Sequence, residues 1–381
     1  MKKFRNCTGA MIILAVIALG SVSAQDREPS ADNTRKENDP AGEKDERRGW
    51  GVIPVAIPFY MPETSFGIGF SFLLYNRDDA GINENKPDEL SLYGAYTLNN
   101  QVSVGISADL YLHGIDYRAT GAAEFSRYPD RFWGAGPDTE EDGDEKFTSL
   151  ITTVRGAFLF RLADRFYLGP YYRFLYDVME KREDGGLLLA ERVPGADGTV
   201  LSGFGLEAAY DSRDSVFYPK RGIYADIKGL VYRSELGNEY NFSKMELDLR
   251  FFQRLYGDLV LAFHLVTDIS GGTVPLQAMS RLGGEIMLRG YFQGRYRDRN
   301  YAAFQTEVRF PVIWRFAGAV FCGVGQVAPV PGELFENELK IAFGGGLRFI
   351  ADRDEHISIR LDVGVDREMN PNFYFMIKEA F

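Results

Sequence analysis

Hydrophobic and polar residues alternate along many short segments of this sequence, as they do in β-strands with two different faces. In residues 357–366 the aliphatic side chains fall on one face, and serine, arginine, aspartate and glycine fall on the other. Segments 245–251, 304–310 and 339–349 divide in the same way, so one face of each strand is apolar and the other is ionic. The polar faces carry Lys244, Glu246, Asp248, Arg250, Gln305, Glu307, Arg309, Lys340, Arg348, Ser358, Arg360, Asp362, Gly364 and Asp366.

Segments of this kind follow one another from residue 50 to residue 381 with turn signals between them. They number roughly sixteen, and an even number suits a closed bacterial barrel of tilted membrane strands. The sequence therefore predicts an all-β fold, a transmembrane antiparallel β-barrel. The predicted strands are 52–60, 66–75, 90–98, 101–112, 116–125, 147–162, 166–179, 201–210, 222–232, 242–255, 259–268, 301–310, 314–327, 339–350, 357–365 and 373–381.

Loop lengths predict the orientation of this barrel, because such barrels have short periplasmic turns and long extracellular loops. Loops 128–146, 180–200 and 271–300 are therefore expected outside, and the turns near residues 164 and 257 inside. The connection at 76–89 is long but falls on the periplasmic side, which leaves the strand count near the N-terminus open. The first strand is also irregular, because Pro54 and Pro58 cannot donate to a ladder.

The first 24 residues have the layout of a secretory signal peptide, with a basic start, an apolar run at 11–19 and small residues before Gln25. That run is shorter than the roughly 20 residues of a membrane-spanning helix. Residues 25–49 are highly polar and are predicted to be a disordered leader. No later segment has 18 consecutive apolar residues, which excludes a helical membrane protein. Residues 50–381 are assigned to the barrel.

A soluble barrel shares this alternation but reverses it, with the apolar side chains inside and the charges in bulk water. The secretion signal favours the membrane interpretation. The C-terminal segment favours it too, because an apolar face ending on an aromatic residue is typical of the closing strand of an outer-membrane barrel. The residues predicted on that face are Phe373, Phe375, Ile377 and Phe381.

Composition narrows the range of partners. The formal net charge is −11 at pH 7 and becomes more negative once the basic signal peptide is removed, which argues against nucleic acid, because phosphate binding needs basic patches. Aromatic residues make up 14% of the chain, which suits the aromatic belts of a membrane barrel. Cleavage would leave Cys322 as the only cysteine, so no intramolecular disulfide can form.

One loop, residues 281–300, is rich in glycine and arginine and lies between two clear strand patterns. Structureless loops longer than about 12–15 residues are uncommon unless they are functional or disordered. Within it, Leu288 precedes the tripeptide Arg289-Gly290-Tyr291. Residues 210–214 read Tyr-Asp-Ser-Arg-Asp, and residues 307–311 read Glu-Val-Arg-Phe-Pro.

These three motifs, in this order and followed by further strands to a terminal phenylalanine, resemble the bacterial surface antigen family. This is the BamA/TamA-type superfamily of outer-membrane assembly and translocation proteins. The tripeptide is similar to the family's signature at the tip of a long extracellular loop that folds back into the barrel. The turn motif is similar to its periplasmic turn, with matching residues Asp211, Arg213, Asp214, Pro219 and Gly222.

The resemblance implies that Arg289 pairs with acidic residues on the inner wall, and Glu307 is the matching candidate. The family's second carboxylate is missing, because Phe321-Cys322-Gly323 stands where an aspartate is usual. Asp362 faces inward and could substitute; the inner-wall candidates are Glu307, Arg309, Arg360 and Asp362. The alternative is a solvated arginine in a flexible loop, which is the expectation for the neighbouring residues Arg295, Arg297 and Arg299.

The resemblance implies a role in protein insertion or translocation across the outer membrane. Family members that insert or export proteins carry periplasmic POTRA (polypeptide-transport-associated) domains, for which residues 25–49 are too short, so a barrel-only member is expected. The expected partners are outer-membrane lipids, unfolded outer-membrane or secreted clients, and a separate periplasmic protein. The alternative function is a passive pore or structural barrel plugged by its own loop.

Enzymatic activity is not expected. Three histidines, His113, His264 and His356, lie on separate strands or turns, and no metal-protease motif, nucleophile elbow or phosphate loop occurs. His264 faces inward, where a satisfied lumen histidine is a simpler interpretation than a hydrolase base. No cofactor and no metal are predicted.

Overall fold

The computed structural model describes residues 49–77, 88–112, 115–216, 218–352 and 357–381. Sixteen antiparallel strands close into one barrel, as predicted. The predicted signal peptide and nearly all of the leader lie outside the described residues. The barrel strands are β1 Gly49–Met61, β2 Ser65–Arg77, β3 Asp88–Thr97, β4 Val102–Leu112, β5 Tyr117–Phe132, β6 Glu145–Ala163, β7 Phe166–Lys181, β8 Gly198–Asp211, β9 Gly222–Tyr232, β10 Phe242–Arg254, β11 Val260–Gly272, β14 Asn300–Ile313, β15 Phe316–Ala328, β16 Lys340–Asp352, β17 Ile357–Val365 and β18 Pro371–Ile377.

Each barrel strand pairs with the next one along the chain, and β1 closes the barrel against β18. Between β11 and β14 the chain forms a separate two-stranded hairpin, β12 Ser280–Leu282 and β13 Tyr296–Asp298. The only other elements in the described part of the chain are the short helix α1 Leu187–Ala190 and three 3-10 turns, Ser234–Leu236, Leu276–Ala278 and Pro331–Phe335. None of these helices is long and apolar enough to cross a membrane.

The two faces of the strands are arranged as the alternation predicts. Leu361 is 48% exposed on the outer face of β17, whereas its neighbours Arg360 and Asp362 are buried inside the barrel. On β14, Phe304 faces outward and Glu307 is buried within. A soluble barrel would carry its charges outside and its apolar residues within, so the reversed arrangement is not the one adopted.

The strand ends next to the β5–β6 and β7–β8 connections extend further than the hydrophobic pattern indicates. The predicted loops 128–146 and 180–200 are shorter in the structure, because β5 and β6 remain paired up to Phe132 and Glu145, and β7 continues to Lys181. These extensions contribute to a hydrophobic cluster with residues of the neighbouring loops rather than to the apolar outer face. The cluster consists of Phe132, Phe147, Leu188, Val193, Ala196 and Leu276. Strand ends predicted from the alternation of apolar and polar residues therefore fall short of the observed ends.

The C-terminus departs from the predicted closing strand. Phe373, Phe375 and Ile377 alternate with the buried Tyr374 and face outward as predicted, but Phe381 is buried inside the barrel. β18 ends at Ile377, and Lys378 has a left-handed backbone with φ 69°. This turn directs the last residues into the lumen, so the placement of Phe381 on the outer face was wrong.

Candidate functional site

The connection between β11 and β14 folds into the barrel and packs against the inner wall of β14–β18. Leu288 and Met287, beside the tripeptide, are buried in a hydrophobic cluster with wall residues Tyr301, Ala303, Val327 and Ala342. Gln305 on β14 binds the loop backbone to the wall. Its side chain accepts a hydrogen bond from the backbone N–H of Leu288 at 3.1 Å and donates one to the carbonyl of Ile286 at 3.1 Å. The loop is thus held by apolar burial and by backbone hydrogen bonds.

Arg289 is fully buried within this packing. Its guanidinium donates to the Asp362 carboxylate of β17 at 2.6 Å and to the Glu307 carboxylate of β14. The flat face of the guanidinium stacks on Phe321 of β15, with 3.5 Å between Cζ and the ring centroid. A planar cation that binds two carboxylates and an aromatic face is a geometry available to arginine and not to lysine.

Asp362 binds two further arginines on the inner wall. Its carboxylate accepts from Arg348 of β16 at 2.5 Å and from Arg360 of β17 at 2.8 Å. Arg360 also donates to the carbonyl of Glu285 in the loop at 3.1 Å and pairs with the Glu285 carboxylate. Asp362 therefore joins the loop arginine to two strands of the wall.

Glu307 and the C-terminal tail continue the network toward the end of the barrel at which β18 ends. Arg309 donates to Glu307 at 2.7 Å and to the backbone carbonyl of Phe381 at 2.8 Å. Glu379 accepts from Arg348 at 3.2 Å and lies 3.8 Å from Arg309. The tail that turns inward after β18 is thereby a structural part of the ion-pair network.

The side-chain charges in this network are balanced, which favours the burial of ions. Four guanidinium groups meet four carboxylates, and every member contacts at least one group of opposite charge. The arginines are Arg289, Arg309, Arg348 and Arg360, and the carboxylates are Glu285, Glu307, Asp362 and Glu379.

Gly290 and Tyr291 complete the contact of the loop with the wall. The Gly290 N–H donates to the Tyr374 hydroxyl at 3.1 Å, and its carbonyl accepts from Asn372 at 2.5 Å; both partners lie on β18. The Tyr291 hydroxyl donates to the Ile341 carbonyl at 3.2 Å. Burial raises the pKa of Tyr291 to about 12, so its hydroxyl keeps the proton that it donates.

Glycines on the wall leave the space that the loop backbone occupies. A Cβ at Gly364 would lie 2.1 Å from the carbonyl oxygen of Arg289, and one at Gly346 would lie 1.9 Å from the Asp362 carboxylate. Gly290 itself has φ 140°, and a Cβ there would lie 2.7 Å from the carbonyl of Val365. A side chain at Gly364 or Gly290 would displace backbone, and one at Gly346 would displace the carboxylate that binds Arg289.

Gly364→Ala is expected to displace the loop and to destabilise the barrel by about 1–3 kcal/mol, the usual cost of overpacking. The control is Gly69→Ala on the inner face of β2, where a Cβ would meet its nearest neighbour at 3.7 Å, an ordinary contact. The midpoint of the heat-induced mobility shift on semi-native gels measures both variants. Equal midpoints for the two variants would contradict tight packing of the loop on Gly364.

The turn between β8 and β9, which the sequence predicts on the periplasmic side, is a compact set of polar contacts. Arg213 binds the Asp211 carboxylate through two hydrogen bonds of 3.0 and 3.1 Å and stacks on Tyr224. Asp214 accepts from two backbone N–H groups across the turn. Gly222, with φ 110°, starts β9 after the buried Pro219. The motif residues thus stabilise this turn. Tyr218 of the same turn lies against Arg309 of the ion-pair network, with 5.7 Å between the guanidinium carbon and the ring centroid.

Residues 60–381 match the Omp85 superfamily domain. The chain belongs to the Omp85 superfamily. This confirms the resemblance predicted from the loop, turn and strand motifs. No match was found among curated protein sequences.

Solved structures agree with this Omp85 fold at low sequence identity. BamA from Haemophilus ducreyi lacking POTRA domains 1–3 superimposes with a TM-score of 0.60 at 12% identity, over 87% of this chain and 70% of that one. CdiB from Acinetobacter baumannii gives 0.56 at 14% identity, over 87% and 60%. CdiB from Escherichia coli gives 0.56 at 11% identity, over 86% and 62%. At these identities the likeness is one of fold.

The other loop arginines of this Omp85 barrel are not all solvated, contrary to the sequence-based expectation. Arg297 is buried and donates to Asp130 of β5 at 2.8 Å. Arg295 donates to the side chain and carbonyl of Thr139 at 2.6 and 2.9 Å. The expectation was wrong because the end of β5 and the β5–β6 loop supply partners that local sequence does not reveal.

Four contributors to the network were not among the predicted site residues. Arg348 was recognised as inward-facing, and its alternation with apolar neighbours could have nominated it. Phe321 belongs to the segment that was noted for lacking an aspartate, and its ring offers Arg289 an aromatic face. Glu285 and Glu379 had no such signal, because the first lies in an irregular loop and the second follows the unexpected turn at Lys378.

His264 is buried on the inner wall, as its position in the alternation indicates. Its Nε2 lies 3.0 Å from the Asp248 carboxylate, and its ring packs at 4.8 Å from the ring of Phe381. His113 and His356 lie outside the described residues. Among the residues that are described, no group of three or more His, Cys, Asp and Glu side chains is placed to hold a metal ion.

Proposed function

We propose that this Omp85 barrel resides in the bacterial outer membrane and inserts or translocates protein chains by opening sideways between β1 and β18. Membership of the superfamily supports the membrane location, as do the apolar outer face and the ionic lumen. Outer-membrane lipids would cover the apolar face, and the client would be an unfolded outer-membrane or secreted protein. A separate periplasmic protein would deliver that client.

The observation that carries the proposal is the short seam between β1 and β18. Throughout the described residues, the only position at which the two strands pair is Tyr60 with Phe375, whereas β1 pairs with β2 along its whole length. Continuing this register, Ile377 at the end of β18 lies opposite Pro58. The nine residues of β1 from Gly49 onward therefore extend past β18 and leave backbone groups available to another strand.

Two features of the sequence keep this seam short. The turn at Lys378 directs the C-terminal tail into the lumen, where Glu379 and Phe381 bind the arginine network instead of continuing the sheet. On the other side, Pro54 and Pro58 remove two backbone donors from β1. An exposed sheet edge is the surface on which a client strand can add by backbone hydrogen bonds.

A disulfide across the seam is expected to abolish client insertion. Cysteines replace the paired residues Tyr60 and Phe375 in a Cys322→Ser background, and the purified protein is reconstituted in liposomes. Folding of an added unfolded outer-membrane barrel protein is followed by its heat-modifiable mobility. Insertion should fall to the level of empty liposomes after oxidation and recover on reduction, because a closed seam cannot accept a strand.

The matched control is a disulfide between Phe204 and Val231, which are paired, outward-facing residues on β8 and β9, far from the seam in the strand order. This control disulfide should leave insertion unchanged. Full insertion by the oxidised seam variant would exclude lateral opening.

A passive pore or structural barrel remains the second candidate, because the lumen is not filled by the loop. A cavity of about 540 Å³ lies beside it, and its lining includes the charged residues Glu124, Asp130, Arg155 and Arg281. A plugged pore would conduct ions more strongly when the loop is shortened, and it would conduct equally with the seam locked or free. Conductance of planar bilayers across these two changes separates it from the first candidate.

A further inference from the structure

We infer that residues 290–293, the latch segment, form a latch across the inner side of the β1–β18 seam, with Glu63 as its catch. This inference rests on the proposed lateral opening and concerns how that opening is controlled. The latch segment begins in the signature tripeptide and ends three residues later. Its two ends contact opposite sides of the seam.

One end of the latch segment is bound to β18. Gly290 donates its N–H to the Tyr374 hydroxyl and accepts from Asn372, as described above. The Tyr374 hydroxyl lies 3.4 Å from the carbonyl of Tyr291 and can donate to it. Asn372 and Tyr374 alternate inward along the last strand, so this end moves with β18 and with the ion-pair network behind it.

The other end is bound to the β1 side. The N–H of Gln293 donates to the Glu63 carboxylate at 2.5 Å. Glu63 lies in the tight turn between β1 and β2 and is buried. Its carbonyl accepts from Asn99 at 2.9 Å and from Gln101 at 3.2 Å, which tie the turn to the next hairpin. Glu63 is therefore fixed to the first two hairpins of the barrel, on the β1 side of the seam.

The bond between Glu63 and Gln293 joins two parts of the barrel that must separate when the seam opens. A carboxylate accepting a backbone N–H is a charge-assisted hydrogen bond, stronger than a neutral one. One such bond is a substantial addition here, because the described residues of β1 and β18 pair at a single position. Other contacts of the loop reach β5 and loop β5–β6, through Arg297 and Arg295, several strands away from the seam. Glu63 is the loop's contact on the first hairpin.

Glu63→Ala is expected to raise the open population of the seam roughly tenfold, the effect of losing one charge-assisted hydrogen bond. Hydrogen–deuterium exchange of the full-length protein in liposomes, read by mass spectrometry on peptides from β1 and β18, measures this population. Exchange in β8 and β9 serves as the internal reference and should not change. The control variant Glu235→Ala removes an exposed carboxylate from another extracellular loop and should leave the seam as in the wild type.

Two further variants separate a latch from a local disturbance of the turn. Glu63→Gln retains an acceptor for Gln293 and should exchange nearly as slowly as the wild type. Tyr374→Phe removes the hydrogen bonds to Gly290 and Tyr291 but leaves that end held by Asn372 and by the neighbouring Arg289, so it should raise exchange less than Glu63→Ala does. The double variant should raise exchange no further than Glu63→Ala alone, because once the bond between Glu63 and Gln293 is lost the hydrogen bonds of Tyr374 no longer act across the seam.

Three results would overturn the latch. These are unchanged exchange in Glu63→Ala, equal exchange in Glu63→Gln and Glu63→Ala, and a double variant whose effect is the product of the two single effects. None of these measurements uses a client. A latch that fails them leaves the insertion test of the locked seam intact, and a barrel that inserts no client can still show a working latch.

Discussion

Arg289→Ala is expected to destabilise the folded barrel by about 3–5 kcal/mol, the cost of removing one partner of a buried ion pair. The substitution leaves Glu307 and Asp362 with one cation fewer in a network whose charges are balanced. It also removes the guanidinium that stacks on Phe321. The midpoint of the heat-induced mobility shift on semi-native gels, together with the urea concentration at half unfolding, measures the loss.

Two other arginines of the same loop provide graded controls. Arg297→Ala removes a buried cation with one carboxylate partner, Asp130, and should be intermediate. Arg299→Ala removes a half-buried side chain and should stay close to the wild type. Arg289→Lys should recover only part of the loss, because an ammonium cannot reproduce the planar fork. Equal mobility shifts for Arg289→Ala and Arg299→Ala would show that the pairing contributes nothing to stability.

The sequence was sufficient for the barrel and for the faces of its strands. Strands that alternate between apolar and charged residues can close with the charged face either outside or inside the barrel. The exposed Leu361 beside the buried Asp362 shows that the charged face lies inside. The number of strands was also predicted, because the alternation of apolar and polar residues repeats in every strand and turn residues separate one repeat from the next. Strand ends were less accurate, because β5 and β6 extend above the membrane-facing region on contacts with other loops.

The site was predicted in part. Arg289 and Glu307 lie within one loop and the strand that follows it, so a motif could bring them together. Asp362 was recognised as inward-facing. Its contact with Arg289, however, depends on how the strands from β14 to β17 are staggered relative to one another. Arg297 was misjudged for a related reason, since its partner Asp130 is 167 positions away in the sequence. Long-range partners of loop residues are set by closure of the whole barrel.

The two sides of the β1–β18 seam differ in how extensively they are bonded. On one side, β14–β18, the loop and the C-terminal tail share a dense ion-pair network that resists deformation. On the other side, β1 is bound fully to β2 and at one described position to β18. A rigid wall beside a weak edge concentrates any opening at that edge, and the lateral-opening proposal requires this distribution of stability.

Asp362→Asn is expected to match or exceed the effect of Arg289→Ala. The carboxylate accepts hydrogen bonds from Arg289, Arg348 and Arg360, so neutralising it leaves three buried guanidiniums short of one negative charge. Breaking a buried pair costs about 3–5 kcal/mol because the remaining charge stays desolvated. Asparagine has nearly the shape of aspartate, so packing is retained, and the loss measured by urea unfolding reports the missing charge together with the acceptor that the amide NH2 replaces.

Glu285→Gln is the matched control, because Glu285 also pairs with Arg360 but is partly exposed, and solvent screens its loss. It should cost much less than Asp362→Asn. The double variant Arg289→Ala with Asp362→Asn should cost less than the sum of the single losses, because each substitution removes the charge that the other leaves unpaired. Additive losses would mean that Asp362 stabilises the wall through Arg348 and Arg360 alone, and the carboxylate missing beside Gly323 would then have no substitute on β17.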